Sequence, residues 1–103
     1  MNSKIGIIIP FYYLSDNFEE DIRTLQETID STKAYTNRIV VVDDGTSLEL
    51  ISDAQLIKHL RNKGKGASIR TGIKSLLLDS EIQFIVEIDA DNDQDPKEIT
   101  KFI

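Results

Sequence analysis

Arg38-Ile39-Val40-Val41-Val42-Asp43 is an unbroken β-branched run, closed by Asp44-Gly45. A strand with one wet face alternates apolar and polar side chains, so a run that does not alternate belongs to a sheet covered on both sides, as parallel sheets are. Upstream, Lys4-Ile5-Gly6-Ile7-Ile8-Ile9 reads the same way and is expected to stop at Pro10, which cannot donate to a ladder. Between the two runs, Phe18, Ile22, Leu25 and Ile29 recur at helical spacing, with Asp16 as the expected N-cap and Glu19 and Glu20 in the first turn. Downstream, a short helical turn is expected near residues 47–52, then a more exposed strand over residues 54–60. The loop Arg61-Asn62-Lys63-Gly64-Lys65-Gly66 follows, feeding a helix striped by Ile69, Ile73, Leu76 and Leu77. A fourth strand is expected over residues 81–88, and Asp95-Pro96-Lys97-Glu98 has the form of a new helix start, with Asp95 as cap and Pro96 at the first helical position.

Strands that alternate with helices demand right-handed crossovers, which predicts a Rossmann-like α/β fold with a parallel sheet of order 3-2-1-4 and helices on both faces. In that order the winding reverses between strands one and four, and ligands bind such sheets in the crevice at the carboxyl ends of the strands there. The 103 residues are expected to form a single domain with one core. A net charge of −6, from 18 acidic and 12 basic side chains, argues against nucleic acid as a partner, which requires a basic footprint. The chain has no cysteine, which removes disulfides and thiol chemistry, and no apolar run that approaches the ~20 residues of a membrane span. A cytoplasmic location is the default expectation.

Four motifs fall at the strand ends. Asp89-Ala90-Asp91-Asn92-Asp93-Gln94-Asp95 sets four carboxylates at alternate positions after Phe84-Ile85-Val86-Glu87-Ile88. Oxygen-only donors this close suit a hard divalent cation, and the competing reading is a solvated turn with Asp95 as a helix cap. An EF-hand is excluded, because Gln94 stands where a sharp-turning glycine is needed and Thr100 where a bidentate glutamate closes the shell. Asp43-Asp44-Gly45-Thr46 is either an ordinary turn or a carboxylate placed to accept from a nucleobase N–H. Asn62-Lys63-Gly64-Lys65-Gly66 fits neither the Walker loop nor the dinucleotide fingerprint; it is a phosphate approach or a plain connection, and Arg70 shares that ambiguity. Tyr12 and Tyr13 stand either beside a ligand or in the core, and His59, the single histidine, reads as structural.

In this order, Ile7-Ile8-Ile9-Pro10-Phe11-Tyr12, Val40-Val41-Val42-Asp43-Asp44-Gly45-Thr46, Asn62-Lys63-Gly64-Lys65-Gly66-Ala67 and Asp89-Ala90-Asp91 resemble the N-terminal half of family 2 glycosyltransferases of the GT-A fold. The similarity is greatest to the branch that contains dolichyl-phosphate mannosyl- and glucosyltransferases. It implies transfer of a sugar from a UDP- or GDP-sugar donor, with inversion at the anomeric carbon. Asp89 and Asp91, and less directly Asp93, would hold Mn²⁺ or Mg²⁺ against the diphosphate. Pro10, Tyr12, Val42, Asp44, Lys65 and Ala90 would line the nucleotide-sugar site. Tyr13-Leu14 stand where the family usually shows Asn-Glu.

The resemblance further implies that the catalytic base and acceptor site lie beyond Ile103. The chain is therefore expected to be a truncated donor-binding piece, inactive alone and prone to self-association, whose full-length protein could sit at the cytoplasmic face of a membrane. Two alternatives remain open at this point. One is a nucleotide-sugar-binding module without chemistry. The other is a sugar-1-phosphate nucleotidyltransferase, against which the glycine-free Pro10-Phe11-Tyr12-Tyr13 counts.

Overall fold

The computed structural model describes residues 4–49 and 51–92. The expected helix start at residues 95–98, together with Asp93 and Asp95, lies outside the described residues. Within them the elements run β1 (Ile5–Phe11), α1 (Phe18–Thr32), β2 (Arg38–Asp43), β3 (Gln55–Lys58), α2 (Lys65–Leu76) and β4 (Phe84–Glu87). The four strands form one parallel sheet of order β3-β2-β1-β4. The class and the strand order are those the sequence implies.

Strand side chains alternate in direction, so the two central strands feed two cores at once. Ile5, Ile7, Ile9 and Phe11 of β1, with Ile39 and Val41 of β2, point to the α1 side, where Leu25 and Ile29 meet them and Phe18 and Ile22 close the rim. Ile8, Val40 and Val42 point the other way onto Leu76, with Ile69 and Ile73 packed beside it. This double coverage is why the β2 run carries no polar alternation. Gly72 sets the closeness of the second layer: a Cβ there would stand 2.7 Å from Ile8 Cγ2, so α2 could not lie so near the sheet with any larger residue.

Several boundaries differ from expectation, each for a local reason. β1 runs through Pro10 and pairs it with Val42. The nitrogen of Pro10 faces the β4 side, as the carbonyl of Ile8 does in accepting from Ile88, and the β4 ladder ends at Ile8, so no donor is missed. The N-cap of α1 is Asn17 in place of Asp16, because Asn17 Oδ1 accepts from Glu20 N at 3.1 Å while the Asn17 amide donates to Ser15 Oγ. Residues 47–49 form no helical turn. Ser47 takes a positive φ of 66° and Leu48 N donates to Asp43 Oδ2, which commits this backbone to a loop. β3 and β4 are shorter than expected, and Leu77 lies past the end of α2, exposed. Among the described residues no helix is long and apolar enough to cross a membrane.

Candidate functional site

The carboxyl ends of β1, β2 and β4 and the N-terminus of α2 enclose a crevice of about 370 Å³. Its walls come from Pro10, Phe11, Tyr12 and Leu14 after β1, from Asp44, from Asn62, Gly64, Lys65 and Ser68 around the start of α2, and from Asp89, Ala90 and Asp91 after β4. All four sequence motifs therefore converge on one place. A larger hollow of about 650 Å³ lies at the opposite end of the sheet, between the starts of β2 and β3 and the end of α2. It collects none of the motifs, and its charges are paired with one another: Lys33 with Asp53 at 3.0 Å, and Arg38 with Asp79 at 2.8 Å, the latter a charge contact without hydrogen-bond alignment.

The acidic side of the crevice follows from the spacing of Asp89, Ala90 and Asp91. Ile88 N donates to Ile8 O and extends the ladder one residue past β4, and Thr28 Oγ1, buried on α1, lies 3.0 Å from Ala90 O and pins the chain there. Ala90 is 3% exposed and packs into the α1 core, while the aspartates on either side of it both line the crevice. Lys65, the first residue of α2, reaches across. Its Nζ stands 3.0 Å from Asp89 Oδ1 in a hydrogen bond and 3.0 Å from Glu87 Oε2 in a charge contact. These carboxylates, Glu87 first and then Asp89, hold the Lys65 ammonium above the ordinary lysine range.

Asp44 lines the crevice and is almost wholly buried. Its Oδ1 accepts from Lys63 N and bonds His59 Nδ1, both at 2.8 Å; its Oδ2 accepts from Gly64 N at 2.9 Å and Asn62 Nδ2 at 3.0 Å. Four partners match the roughly four lone-pair positions of a carboxylate. Because an ionised carboxylate only accepts, His59 carries its proton on Nδ1, and its Nε2 meets Thr71 Oγ1 on α2 at 2.8 Å. Burial works against the charged form of Asp44, but the His59 ring and the amides of Lys63 and Gly64 outweigh it and hold the carboxyl below the ordinary range. Gly45 completes the joint. It has φ +93°, and a Cβ on it would lie 2.6 Å from the Asn62 amide, so the Asp-Gly turn is pressed directly against the 61–64 loop.

Two further carboxylates hold loops, and neither role was legible in the sequence. Asp43 is fully buried and accepts from Thr46 N, Thr46 Oγ1 and Leu48 N. Asp21, 2% exposed in the first turn of α1, accepts from Leu14 N, Ser15 N and Ser15 Oγ, which fixes the return of the β1–α1 loop. Tyr12 and Tyr13 are surface residues, 46% and 50% exposed, stacked edge-on with ring centres 5.0 Å apart, and Tyr13 is braced by Phe18 at 5.6 Å. Of the residues singled out for the nucleotide-sugar site, Val42 alone stays out of the crevice; its side chain is buried beneath α2 with Ile8 and Leu76. Glu87 is the residue that sequence reasoning passed over, since inside an apolar run it reads as an ordinary strand position.

Parallel strands in this order, with helices on both faces and a carboxylate pair at their carboxyl ends, are consistent with a Rossmann-like α/β half of the GT-A kind. Residues 7–103 match the model of the glycosyl transferase family 2, and the chain belongs to that family. It is 30% identical over 105 residues to the uncharacterized protein MJ1222 of Methanocaldococcus jannaschii, a match that covers 97% of this chain and 40% of that relative. The chain thus spans less than half the length of the curated relative it matches.

Proposed function

We propose that residues 1–103 form a single nucleotide-sugar-binding domain, the donor side of a metal-dependent, inverting glycosyltransferase akin to the dolichyl-phosphate sugar transferases. The observation that carries this reading is the convergence of Asp89 and Asp91 with Asp44 and Lys65 on one crevice at the carboxyl end of the sheet. The donor set fits a hard cation. Asp89 and Asp91 offer carboxylate oxygens, the kind of partial shell that Mg²⁺ or Mn²⁺ fills out with substrate phosphates and water. Among the described residues there is no cluster of three or more His, Cys, Asp or Glu able to hold an ion without a ligand's help, and Asp93 is a further donor in this reading.

When bound, the cation supplies charge stabilisation to the departing nucleoside diphosphate. The chain's own residues do the positioning. Tyr12 and Pro10 flank the nucleoside, Lys65 and the N-terminus of α2 face the diphosphate, and Asp44 meets the base. A base N–H reaches Asp44 by taking the place of the Asn62 amide, the side-chain donor among its four partners that is free to swing out.

Isothermal titration of the chain with UDP and with GDP, with and without Mn²⁺, tests the reading. One nucleotide is expected to bind in a Mn²⁺-dependent way, with that dependence lost in Asp89→Ala and Asp91→Ala. Unchanged metal-dependent binding in both variants would overturn the metal assignment.

A further inference from the structure

Among the described residues Lys65 is the cation seen to span the acidic side of the crevice, and its placement is specific. It opens α2 directly after Gly64, a cap residue with φ 98° that makes no side-chain bond to the helix end. Its two partners, Glu87 at the end of β4 and Asp89 two residues later, both stand 3.0 Å away. Asp89 is also half of the carboxylate pair assigned above to the divalent ion. An ammonium and a divalent cation cannot hold the same carboxylate oxygen without strong mutual repulsion. The Lys65 side chain is 59% exposed and long, so it can leave without repacking the core.

We infer that Lys65 is a built-in counter-ion that partly offsets the charge of Asp89 and Glu87 until a divalent cation displaces it, whereupon its ammonium turns to the diphosphate that arrives with the metal. The inference rests on the proposed donor site and deepens it. One side chain then opposes the metal when it comes alone and supports it when it comes with a diphosphate, which is a coupling between two ligands carried by a single charge. Glu87 has a part in this device: it keeps the displaced lysine close to the crevice and makes the resting pair a three-charge cluster that stays occupied without metal. Lys65 remains protonated throughout, because only its partner changes, from carboxylate to phosphate oxygen.

The experiment compares the wild-type chain with Lys65→Met and Lys65→Arg. Free Mn²⁺ is followed by electron paramagnetic resonance, and UDP and GDP are titrated at fixed Mn²⁺. Removal of the charge is expected to tighten binding of Mn²⁺ alone by roughly tenfold, the scale of a lost unit charge about 4 Å away at a wet surface. The same variant should weaken nucleotide binding at fixed Mn²⁺, and Lys65→Arg should follow the wild type in both measurements. Mn²⁺ affinity in Lys65→Met equal to or below wild type, with Asp89→Ala still abolishing Mn²⁺ binding, overturns the counter-ion role and leaves the donor site standing. Tighter Mn²⁺ with unaltered nucleotide binding overturns the transfer to diphosphate. No Mn²⁺ binding in any of the chains overturns the donor-site reading and this inference together.

Discussion

Replacing Asp44 with alanine deprives four groups of their acceptor: the amides of Lys63 and Gly64, the Asn62 side chain and the His59 ring. Asn62 and Lys63 are exposed, so their N–H groups recover most of their bonding from water. His59, with its side chain 7% exposed, and the half-buried Gly64 do not. Hydrogen bonds to a charged group contribute about 1.5–3 kcal/mol each, so two unrecovered bonds place the loss at no less than about 3 kcal/mol. That is a large share of the stability of a domain this size, and it corresponds to a fall in Tm of roughly 10–20 °C. Urea unfolding followed by far-UV circular dichroism at pH 7 measures it directly. Acidification supplies a second check with a defined sign. The folded-state pKa of Asp44 is depressed, so its contribution is complete above the ordinary aspartate range near pH 4 and disappears as pH falls through the lower folded value. The gap between wild type and Asp44→Ala should therefore narrow as pH falls below about 4. A loss under about 1 kcal/mol at pH 7 would refute the assignment of Asp44 as the post that holds the 61–64 loop.

Asp21→Ala leaves Leu14 N and Ser15 N without their acceptor and should cost about 2 kcal/mol by the same urea measurement. Burial raises the Asp21 carboxyl but the Ser15 hydroxyl and the loop amides bring it below the ordinary range, so this contribution too is present at neutral pH and lost on acidification through the folded value. Leu77, Leu78 and Phe84 are exposed, and the outer edge of β4 pairs with no strand among the described residues, so concentration-dependent association is expected in analytical ultracentrifugation. A monomer at millimolar concentration would count against it.

What could be read from the sequence was whatever rests on local pattern. The β2 run announces a doubly covered strand because five consecutive buried residues leave no room for a wet face. Asp89 and Asp91 stand out because a small apolar residue, Ala90, separates them just past an apolar run. The misplaced features rest on partners distant in the chain. Pro10 continues β1 because β4 ends early, a fact fixed by residues 84–87. Asp16 and Asn17 are both good caps on paper, and the Ser15 hydroxyl, itself recruited by Asp21, decides between them. Asp44 reads as half of a turn dipeptide, since nothing in Asp43-Asp44-Gly45 says that donors 15 to 20 residues later will close on it.

A physical distinction among the acids follows from who their partners are. Asp21, Asp43 and Asp44 are buried, and at least half of what each accepts comes from backbone amides, which cannot leave without unfolding a loop. Asp89 is about half exposed, and its partners include an ammonium on a flexible stem. The first kind of carboxylate has its charge committed to architecture, apart from the one position on Asp44 that Asn62 can vacate, and the second holds it in reserve for a stronger cation. The two kinds should therefore separate by assay: Asp43→Ala or Asp44→Ala should shift the unfolding midpoint, whereas Asp89→Ala should leave it nearly unchanged, within about 0.5 kcal/mol, and change only what the crevice binds. Equal destabilisation by Asp89→Ala would mean that the contacts of Asp89 are part of the frame, and the exchange of lysine for metal would lose its physical basis.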